Sequence, residues 1–213
     1  MDRSGNLDRT SPATPGHRDE AVQRLAESEA TREAERREST RHIRNVLAVM
    51  RSLACRTGEE VHSVEGYQTV LDGRITALAR IYSLPPHQAG LGFDLWDLIA
   101  DSLLRMGLGA GERVELHGEP VRLTLKAAGS INLLIHELTL DLASRSPEQV
   151  QVEWQLESDG LLLRWGQARA QDASPRVPDW LEQAIGYELR GSVVEDGERG
   201  LSVRLPRSVL ISP

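Results

Sequence analysis

Residues 38–57 read Glu38-Ser-Thr-Arg-His-Ile-Arg-Asn-Val-Leu-Ala-Val-Met-Arg-Ser-Leu-Ala-Cys-Arg-Thr57. Apolar residues recur in this stretch at every third or fourth position, which predicts an amphipathic helix with one buried stripe. The stripe consists of Ile43, Val46, Leu47, Met50, Leu53 and Ala54.

A histidine lies beside the apolar stripe of this helix. Asn45 follows His42 by three residues and shares its face, while Arg41 and Arg44 place positive charge on either side. Because neighbouring cations disfavour a second positive charge, an imidazole here is expected to stay largely neutral at pH 7. A neutral ring nitrogen is able to attack phosphorus. The alternative interpretation is an ordinary solvated histidine on a helix.

The run from Arg41 to Thr57 resembles the phosphoacceptor helix of bacterial sensor histidine kinases of the HWE and related HisKA_2 families. Their pattern is an H-R-x-K-N core followed by Leu-Ala and a small apolar run. The matching residues are His42, Arg44, Asn45, Leu47, Ala48 and Thr57, whereas Ile43 stands where those families usually place arginine. The resemblance implies that His42 is the nucleophile and that Arg44 and Asn45 position it and stabilise charge.

Composition limits the classes of function. The chain has 213 residues, 39% of them hydrophobic, and a net charge of −7, which argues against nucleic acid as a partner because phosphate binding needs a basic surface. Cys55 is the single cysteine; it excludes an internal disulfide and is expected to be a small buried residue. No apolar run approaches the roughly 18 residues of a membrane span, and no apolar signal core is present. We expect a cytoplasmic protein without a membrane partner.

The N-terminal half is predicted to be helical after a disordered tail of residues 1–17. The segment from Arg18 to Arg41 is densely charged and balanced in sign, with Glu33 and Arg37 at the spacing that stabilises a solvated helix. Its thin apolar edge suits a helix that lies against a neighbour or a partner chain. We therefore predict one helix over about residues 19–56, ended by Gly58.

A second amphipathic helix follows and is stopped by Pro85 and Pro86. Its apolar residues are Val64, Tyr67, Leu71, Ile75, Leu78 and Ile81. Two helices with a short connection form a hairpin, which cannot bury its apolar side alone, so residues 18–88 are predicted to dimerise into a four-helix bundle. The segment 72–84 resembles the second bundle helix of HWE kinases, in which an arginine precedes Ala-Leu-Ala.

Residues 89–213 mix helices and strands. The patterns predict helices over 93–106, 126–143 and 179–189, strands over 150–156, 161–165, 191–194 and 201–205, and a hairpin of 114–117 with 121–125 around Gly118. Trp154 and Trp165 are expected in the core. The fold class is therefore α+β, a helical hairpin followed by an α/β sandwich that resembles the Bergerat-type (GHKL-like) ATP-binding domain of histidine kinases.

The nucleotide site of that domain is only partly matched. The family helix reads approximately H-E-L-x-x-N-A-x-K-Y-G; His136, Glu137 and Leu138 match it, while Asp141 replaces the asparagine expected to carry Mg²⁺. If ATP and Mg²⁺ were bound, His136, Glu137 and Asp141 would contact them. Otherwise His136 and Glu137 are inherited residues with packing or hydrogen-bonding roles.

The glycine-rich turns of the family are missing. Its W-x-E motif with Gly-Gly-Pro appears here as Trp165-Gly-Gln-Ala-Arg-Ala, with Gln167 in place of glutamate, and the expected G-x-G lid corresponds to residues 174–179, which contain no glycine. Backbone N–H groups approach phosphates closely only where side chains are absent. We therefore expect no bound cofactor, and the remaining histidines lack the spacing of a metal site.

The favoured function is phosphoryl transfer in a two-component phosphorelay, to and from receiver-domain aspartates through His42. The receiver would supply Mg²⁺, and the partners would be a response regulator, a second copy of the chain and an upstream sensor kinase. One alternative is an active soluble HWE-type kinase with a divergent ATP lid. The other is a non-enzymatic dimeric adaptor that binds a response regulator.

Overall fold

The computed structural model describes residues 15–83, 91–108, 114–145, 149–168, 177–195 and 200–211. The chain divides between Arg51 and Ser52 into two compact units, so the second predicted helix groups with the α/β part. Helix α1 (Pro15–Glu60) supplies the first unit and continues into the second. The predicted domain boundaries after residues 17 and 88 stay predictions.

Helix α1 is longer at both ends than its predicted span of 19–56. It begins at Pro15, whose fixed φ angle and missing N–H are tolerated in a first turn, so residues 15–17 are helical; residues 1–14 lie outside the described chain. Gly58 does not end the helix, since the N–H of Val61 still donates to the carbonyl of Thr57 at 3.0 Å. The prediction of a glycine stop was wrong by about one turn, because nothing at Gly58 requires a left-handed backbone.

The first unit is a solvated helix with exposed apolar side chains. The predicted spacing is realised in an ion pair between Arg37 and Glu33, with Nε and Oε1 3.0 Å apart. Leu25, Ile43 and Leu47 are 63%, 57% and 63% exposed. Of the predicted stripe, Ile43 and Leu47 are therefore exposed, whereas Leu53 is buried.

The second unit contains short helices around one main sheet. After α2 (Val64–Tyr82), its elements are β1 (Phe93–Asp94), α3 (Leu95–Arg105), β2 (Val114–Gly118), β3 (Arg122–Leu123), α4 (Leu125–Arg145), β4 (Gln149–Leu156), β5 (Gly160–Ala168), α5 (Asp179–Leu189), β6 (Ser192–Glu195), β7 (Leu201–Pro206) and a 3₁₀ turn (Arg207–Val209). The strand order in the sheet is β2-β4-β5-β7-β6, with β2 parallel to β4 and the other pairs antiparallel.

The core lies between this sheet and its helices. Side chains alternate along β4, where Val150, Val152 and Trp154 are buried and Gln151 and Gln155 are exposed. The helices contribute Ile99, Leu103, Ile131, Leu134, Ile135, Leu138 and Ile185, all essentially inaccessible to solvent. The predicted fold class, a helical region followed by an α/β sandwich, is confirmed.

Both tryptophans predicted for the core are buried. Trp154 and Trp165 are 4% and 1% exposed. A Cβ atom on Gly118 would lie 2.2 Å from the Trp154 ring, so the glycine is needed for this strand pair to close around the indole. Cys55 was predicted to be buried but is exposed, because it lies on the side of α1 away from buried Leu53 and Thr57.

Two local predictions were wrong. The helix predicted from Phe93 begins at Leu95, because the Asp94 side chain caps it by accepting the N–H of Trp96 at 2.9 Å. The hairpin around Gly118 does not form: β2 pairs in parallel with β4, and β3 pairs with β1. The alternating pattern located these strands but not their pairing. The connection through α4 is long enough to bring β4 alongside β2 in the parallel sense.

Helix α2 is amphipathic as predicted, and its apolar face packs on α4. Ser63 caps its first turn by accepting the N–H of Gly66 at 3.1 Å, and Ala77, Leu78 and Ile81 are buried. The apolar face of α2 therefore has a partner within the same chain. The dimeric four-helix bundle stays a prediction. No helix in the described part of the chain is long and apolar enough to cross a membrane.

Candidate functional site

The residues implied as the phosphotransfer site lie on α1. His42, Arg44 and Asn45 lie within about one turn of this helix, and the side chains of Arg41 and Arg44 are exposed. The side chains of His42 and Asn45 lie outside the described residues. The helix therefore carries the histidine in a segment whose flanking arginines face solvent, where a partner protein can reach them.

The residues implied as a nucleotide site lie on α4. Glu137 and Asp141 are four residues apart and so share one side of this helix, with His136 adjacent. The side chain of Glu137 is only 11% exposed. Its carboxylate is held by a residue of α2 that the sequence reasoning had not assigned to any site.

That residue is Arg74, which forms a buried cluster with partners from two other helices, α1 and α4. Its Nε donates to Oε1 of Glu137 at 2.7 Å, and its Nη2 reaches Oε2 of the same carboxylate at 3.3 Å. Nη2 also donates to Oε2 of Glu60 at 2.7 Å, and Nη1 donates to Oγ1 of Thr57 at 2.8 Å. Thr57 in turn donates to the carbonyl of Leu53 at 2.8 Å. We call Arg74, Glu137, Glu60 and Thr57 the Arg74 cluster.

Burial and neighbouring negative charges shift the pKa of Arg74 in opposite directions. Burial alone would lower its pKa, but the hydrogen bonds and negative charges of Glu137 and Glu60 outweigh that effect and raise the pKa above its ordinary value. The guanidinium, 2% exposed, therefore stays charged. Removing one partner of a buried pair leaves the other charge without compensation, which costs about 3–5 kcal/mol in proteins.

The cluster continues to α5. The guanidinium carbon of Arg74 lies 5.1 Å from the ring centre of Trp180, within the range of a cation–π contact. Trp180 is in the first turn of α5, which begins at Asp179. Arg74 is thereby in contact with side chains of α1, α4 and α5.

Helices α2 and α4 run antiparallel, with small or polar residues at the contact. Asn132 donates its Nδ2 to the carbonyl of Ala77 at 2.6 Å. A Cβ atom on Gly73 would lie 3.0 Å from Nε2 of His136, and one on Gly129 would lie 3.0 Å from the hydroxyl of Tyr82. The absence of side chains at both glycines allows this close approach.

Two polar atoms in this contact are buried without a hydrogen-bond partner among the described residues. They are Oδ1 of Asn132 and Nε2 of His136. Each such atom costs about 1–3 kcal/mol relative to a satisfied one. Burial lowers the pKa of His136, and the positive charge of Arg74 lowers it further, while Glu137 acts in the opposite direction. The imidazole is accordingly neutral near pH 7.

Sequence reasoning found the partners of the cluster separately. It marked His136 and Glu137 by the HEL motif and marked Arg74 as the arginine before Ala-Leu-Ala, but Arg74 and Glu137 are 63 residues apart in the chain. Periodicity carries no information on contacts of that separation. An arginine at position 74, on the apolar side of an amphipathic helix, was the available signal, since a buried arginine requires a carboxylate.

The two glycine-poor motifs can be placed only in part. Trp165 is a core residue of β5, and the side chain of Gln167 lies outside the described residues. Residues 169 and 170 of this motif and residues 174–176 of the expected lid also lie outside them. Across the residues that the structure describes, no group of three His, Cys, Asp or Glu side chains could hold a metal ion.

Part of the chain matches a known protein family. Residues 38–120 match the model described as HWE histidine kinase. Over this range the chain is similar to HWE histidine kinases. The match runs from the segment around His42 through α2 and Arg74 into β2 and the loop after it. The likeness to HWE kinases inferred from sequence is thereby confirmed.

Solved structures agree with the fold. The blue-light-activated histidine kinase of Erythrobacter litoralis EL346 is similar over 79% of this chain at 14% identity, with a TM-score of 0.57. This chain spans 63% of that kinase. The histidine kinase domain of the E. coli osmosensor EnvZ is similar over 57% of this chain and 91% of its own length, at 16% identity and a TM-score of 0.39, too low to support further comparison. A comparison with curated proteins found no significant match.

Proposed function

We propose that this protein transfers phosphoryl groups between response-regulator receiver domains through His42, without binding ATP. The observation that carries the proposal is the family match, which includes His42 and its flanking Arg44 and Asn45 on α1. The exposed arginines around the histidine support it, because they are suited to neutralise a phosphoryl group during transfer.

The reaction is an in-line displacement. An imidazole nitrogen of His42 attacks the phosphorus of a receiver aspartyl phosphate; the N–P bond forms while the bond from phosphorus to the carboxylate oxygen breaks, and the aspartate leaves as a carboxylate. Transfer onward is the reverse step on a second receiver. Positioning and charge neutralisation provide most of the catalysis in such reactions. The receiver supplies the aspartate and its Mg²⁺, and Arg44 and Asn45 orient the histidine.

The contacts of α4 support phosphoryl transfer without ATP. In a nucleotide-binding kinase domain, Glu137 and Asp141 would be available to the nucleotide and its Mg²⁺. Here the carboxylate of Glu137 is bound by Arg74, and α2 lies against the neighbouring face of α4. The sequence also lacks the glycines that let a backbone approach phosphates. This arrangement fits a nucleotide poorly, and we derive no step through one.

A second candidate function, a non-enzymatic adaptor for a response regulator, is favoured by the register of the motif. In the H-R-x-K-N pattern the asparagine follows the phosphoacceptor histidine by four positions, whereas Asn45 follows His42 by three. Alignment on Asn45, Leu47 and Ala48 puts Arg41 at the histidine position and His42 at that of the following arginine. On a helix one position is a rotation of about 100°.

One experiment separates these functions. The protein would be incubated with Mg²⁺ and each acetyl-phosphate-charged receiver domain of the source genome, and the phosphate bound to it tested for lability to acid and to base. Phosphotransfer predicts phosphate on the protein that is labile in acid and stable in base, as a phosphoramidate is, and its loss in His42→Ala.

The informative control is the double variant Arg41→His with His42→Arg, which restores the family order. Phosphorylation of the double variant alone would rule out phosphotransfer by the natural chain and show that it has lost the phosphoacceptor. Labelling by ATP and Mg²⁺ without any receiver would favour the active kinase instead.

A further inference from the structure

Helix α3 (Leu95–Arg105) has a second apolar surface in addition to the one that faces the core. Its core side is fully buried, whereas Trp96 and Leu104 are 43% and 67% exposed. Trp96, Ala100 and Leu104 follow one another at intervals of four residues, so they form one of the ridges through which helices pack on each other. We call these three residues the α3 ridge.

The charges beside the ridge make α3 complementary to itself. Asp97 lies in the first turn and Arg105 in the last turn, and both are exposed on the same side of the ridge. In an antiparallel pair of α3 helices, this side of one helix meets the same side of the other, and each Asp97 lies opposite the other Arg105. A parallel pair would instead bring like charges together. Asp101, which lies between them, already forms an ion pair with Arg80 of α2.

We propose that the α3 ridge is a contact surface for a second copy of this chain, with the two α3 helices packed antiparallel about a twofold axis. Such a contact is isologous, so the same patch serves both copies. Ala100 lies at its centre, where a small side chain lets two helices approach closely. This pairing is separate from phosphoryl transfer and does not depend on it. It also uses a different surface from the predicted bundle, because Ile43 and Leu47 belong to the first unit.

Trp96 is held in place before any partner binds. Its ring meets the ring of Trp154 edge to face, with centroids 6.0 Å apart and an angle of 66° between the planes. A large side chain that is already ordered loses little conformational entropy on association. Tryptophans of this kind contribute much of the binding energy at protein interfaces. Trp96 is therefore suited to be the main anchor of the contact.

The proposed contact is small. The 11 residues of α3 span about 16 Å, so the ridge alone offers less surface than a stable interface buries. We therefore expect a weak association. A weak contact is occupied mainly where another interface already holds copies of the chain close together, because the local concentration is then high. Pairing through α3 would thus link dimers of this protein into larger assemblies.

Sedimentation velocity of the full chain over a range of protein concentrations tests the pairing. We expect an association step in the wild type that Leu104→Ala weakens at least about tenfold, because the substitution removes an exposed apolar side chain from the ridge. Tyr187→Ala is the matched control: Tyr187 is 91% exposed on α5, and its loss should leave this step unchanged. Tryptophan fluorescence checks that each variant is folded.

Charge reversal makes the test specific to an antiparallel pair. Asp97→Arg and Arg105→Asp each place like charges opposite one another, so each variant alone should associate at least about tenfold more weakly than the wild type. An equimolar mixture of the two variants should associate again, because each offers the charge that the other lacks. A chain that carries both substitutions should also associate like the wild type.

The pairing is overturned if the wild type shows no association step, or if Leu104→Ala and the two charge reversals leave that step unchanged. It is equally overturned if neither the mixture nor the combined variant restores association. Binding of a receiver domain to the wild type and not to Leu104→Ala, without self-association, would assign the ridge to that partner and contradict the pairing.

Discussion

Helices α1 and α2 have the same kind of sequence pattern and different surroundings. Ile43 and Leu47 of α1 remain more than half exposed, whereas Leu78 and Ile81 of α2 are each 2% exposed. Periodicity finds an apolar face in both helices, but it does not say what covers the face. The α2 face is covered by α4 of the same chain, through a contact that includes a buried arginine, while Ile43 and Leu47 of α1 are exposed.

The largest effect on stability is expected from a substitution in the Arg74 cluster. Arg74→Met should lower the free energy of unfolding by about 4 kcal/mol, because Glu137 loses its buried counter-charge. Arg56→Met is the matched control: it removes an exposed ion pair with Glu59 on α1 and should cost less than about 0.5 kcal/mol. Urea unfolding followed by tryptophan fluorescence measures both. Equal effects would mean that the Arg74 cluster contributes no more than a surface pair.

A matched pair of leucine truncations compares the two apolar faces directly. Leu78→Ala should cost about 3 kcal/mol in the same assay, because it leaves a cavity between α2 and α4. Leu47→Ala should change the unfolding of the tryptophan-containing unit by less than about 0.5 kcal/mol.

If a second copy covers the α1 stripe, Leu47→Ala will instead raise the dissociation constant of the dimer in sedimentation measurements over a range of concentrations. A large loss of unit stability from Leu47→Ala, or a negligible one from Leu78→Ala, would reverse the contrast between the two faces.

The smallest expected effect is a dependence of stability on pH through His136. Because burial lowers its pKa in the folded state, the unfolded chain binds more protons below about pH 6.5. Stability should therefore fall as the pH drops below that value, with a slope for one proton of at most about 1.4 kcal/mol per pH unit. Urea unfolding from pH 7.5 to 5 should show this slope in the wild type and a shallower one in His136→Gln. Identical slopes would show that His136 takes up its proton freely in the folded state.

The sequence was sufficient for elements whose stability is local. The bounds of α5 (Asp179–Leu189) were predicted to the residue, and the long strands β4 and β5 were found because alternation and turn residues define them. The sequence was insufficient where strand pairing or a side-chain contact depends on a residue far away in the chain. The parallel pairing of β2 with β4 and the Arg74–Glu137 bond both join residues far apart in the chain.

The candidate site was likewise predictable from the sequence only in part. The HEL motif located His136 and Glu137 on α4, but it could not reveal that α2 lies against them. At His42 the difficulty is one of register: the segment matches the family, and a shift of one residue decides whether the histidine or Arg41 occupies the phosphoacceptor position. Apolar periodicity does not distinguish the two positions, because neither belongs to the predicted apolar stripe.

The most direct test of phosphotransfer is therefore to locate the phosphate. After incubation with a charged receiver and Mg²⁺, the protein would be digested at neutral pH and its peptides mapped by electron-transfer tandem mass spectrometry, with the double variant of Arg41 and His42 alongside. We predict one added phosphoryl group on His42 of the natural chain. Phosphate on no histidine of the natural chain, together with phosphate on position 41 of the double variant, would contradict that account.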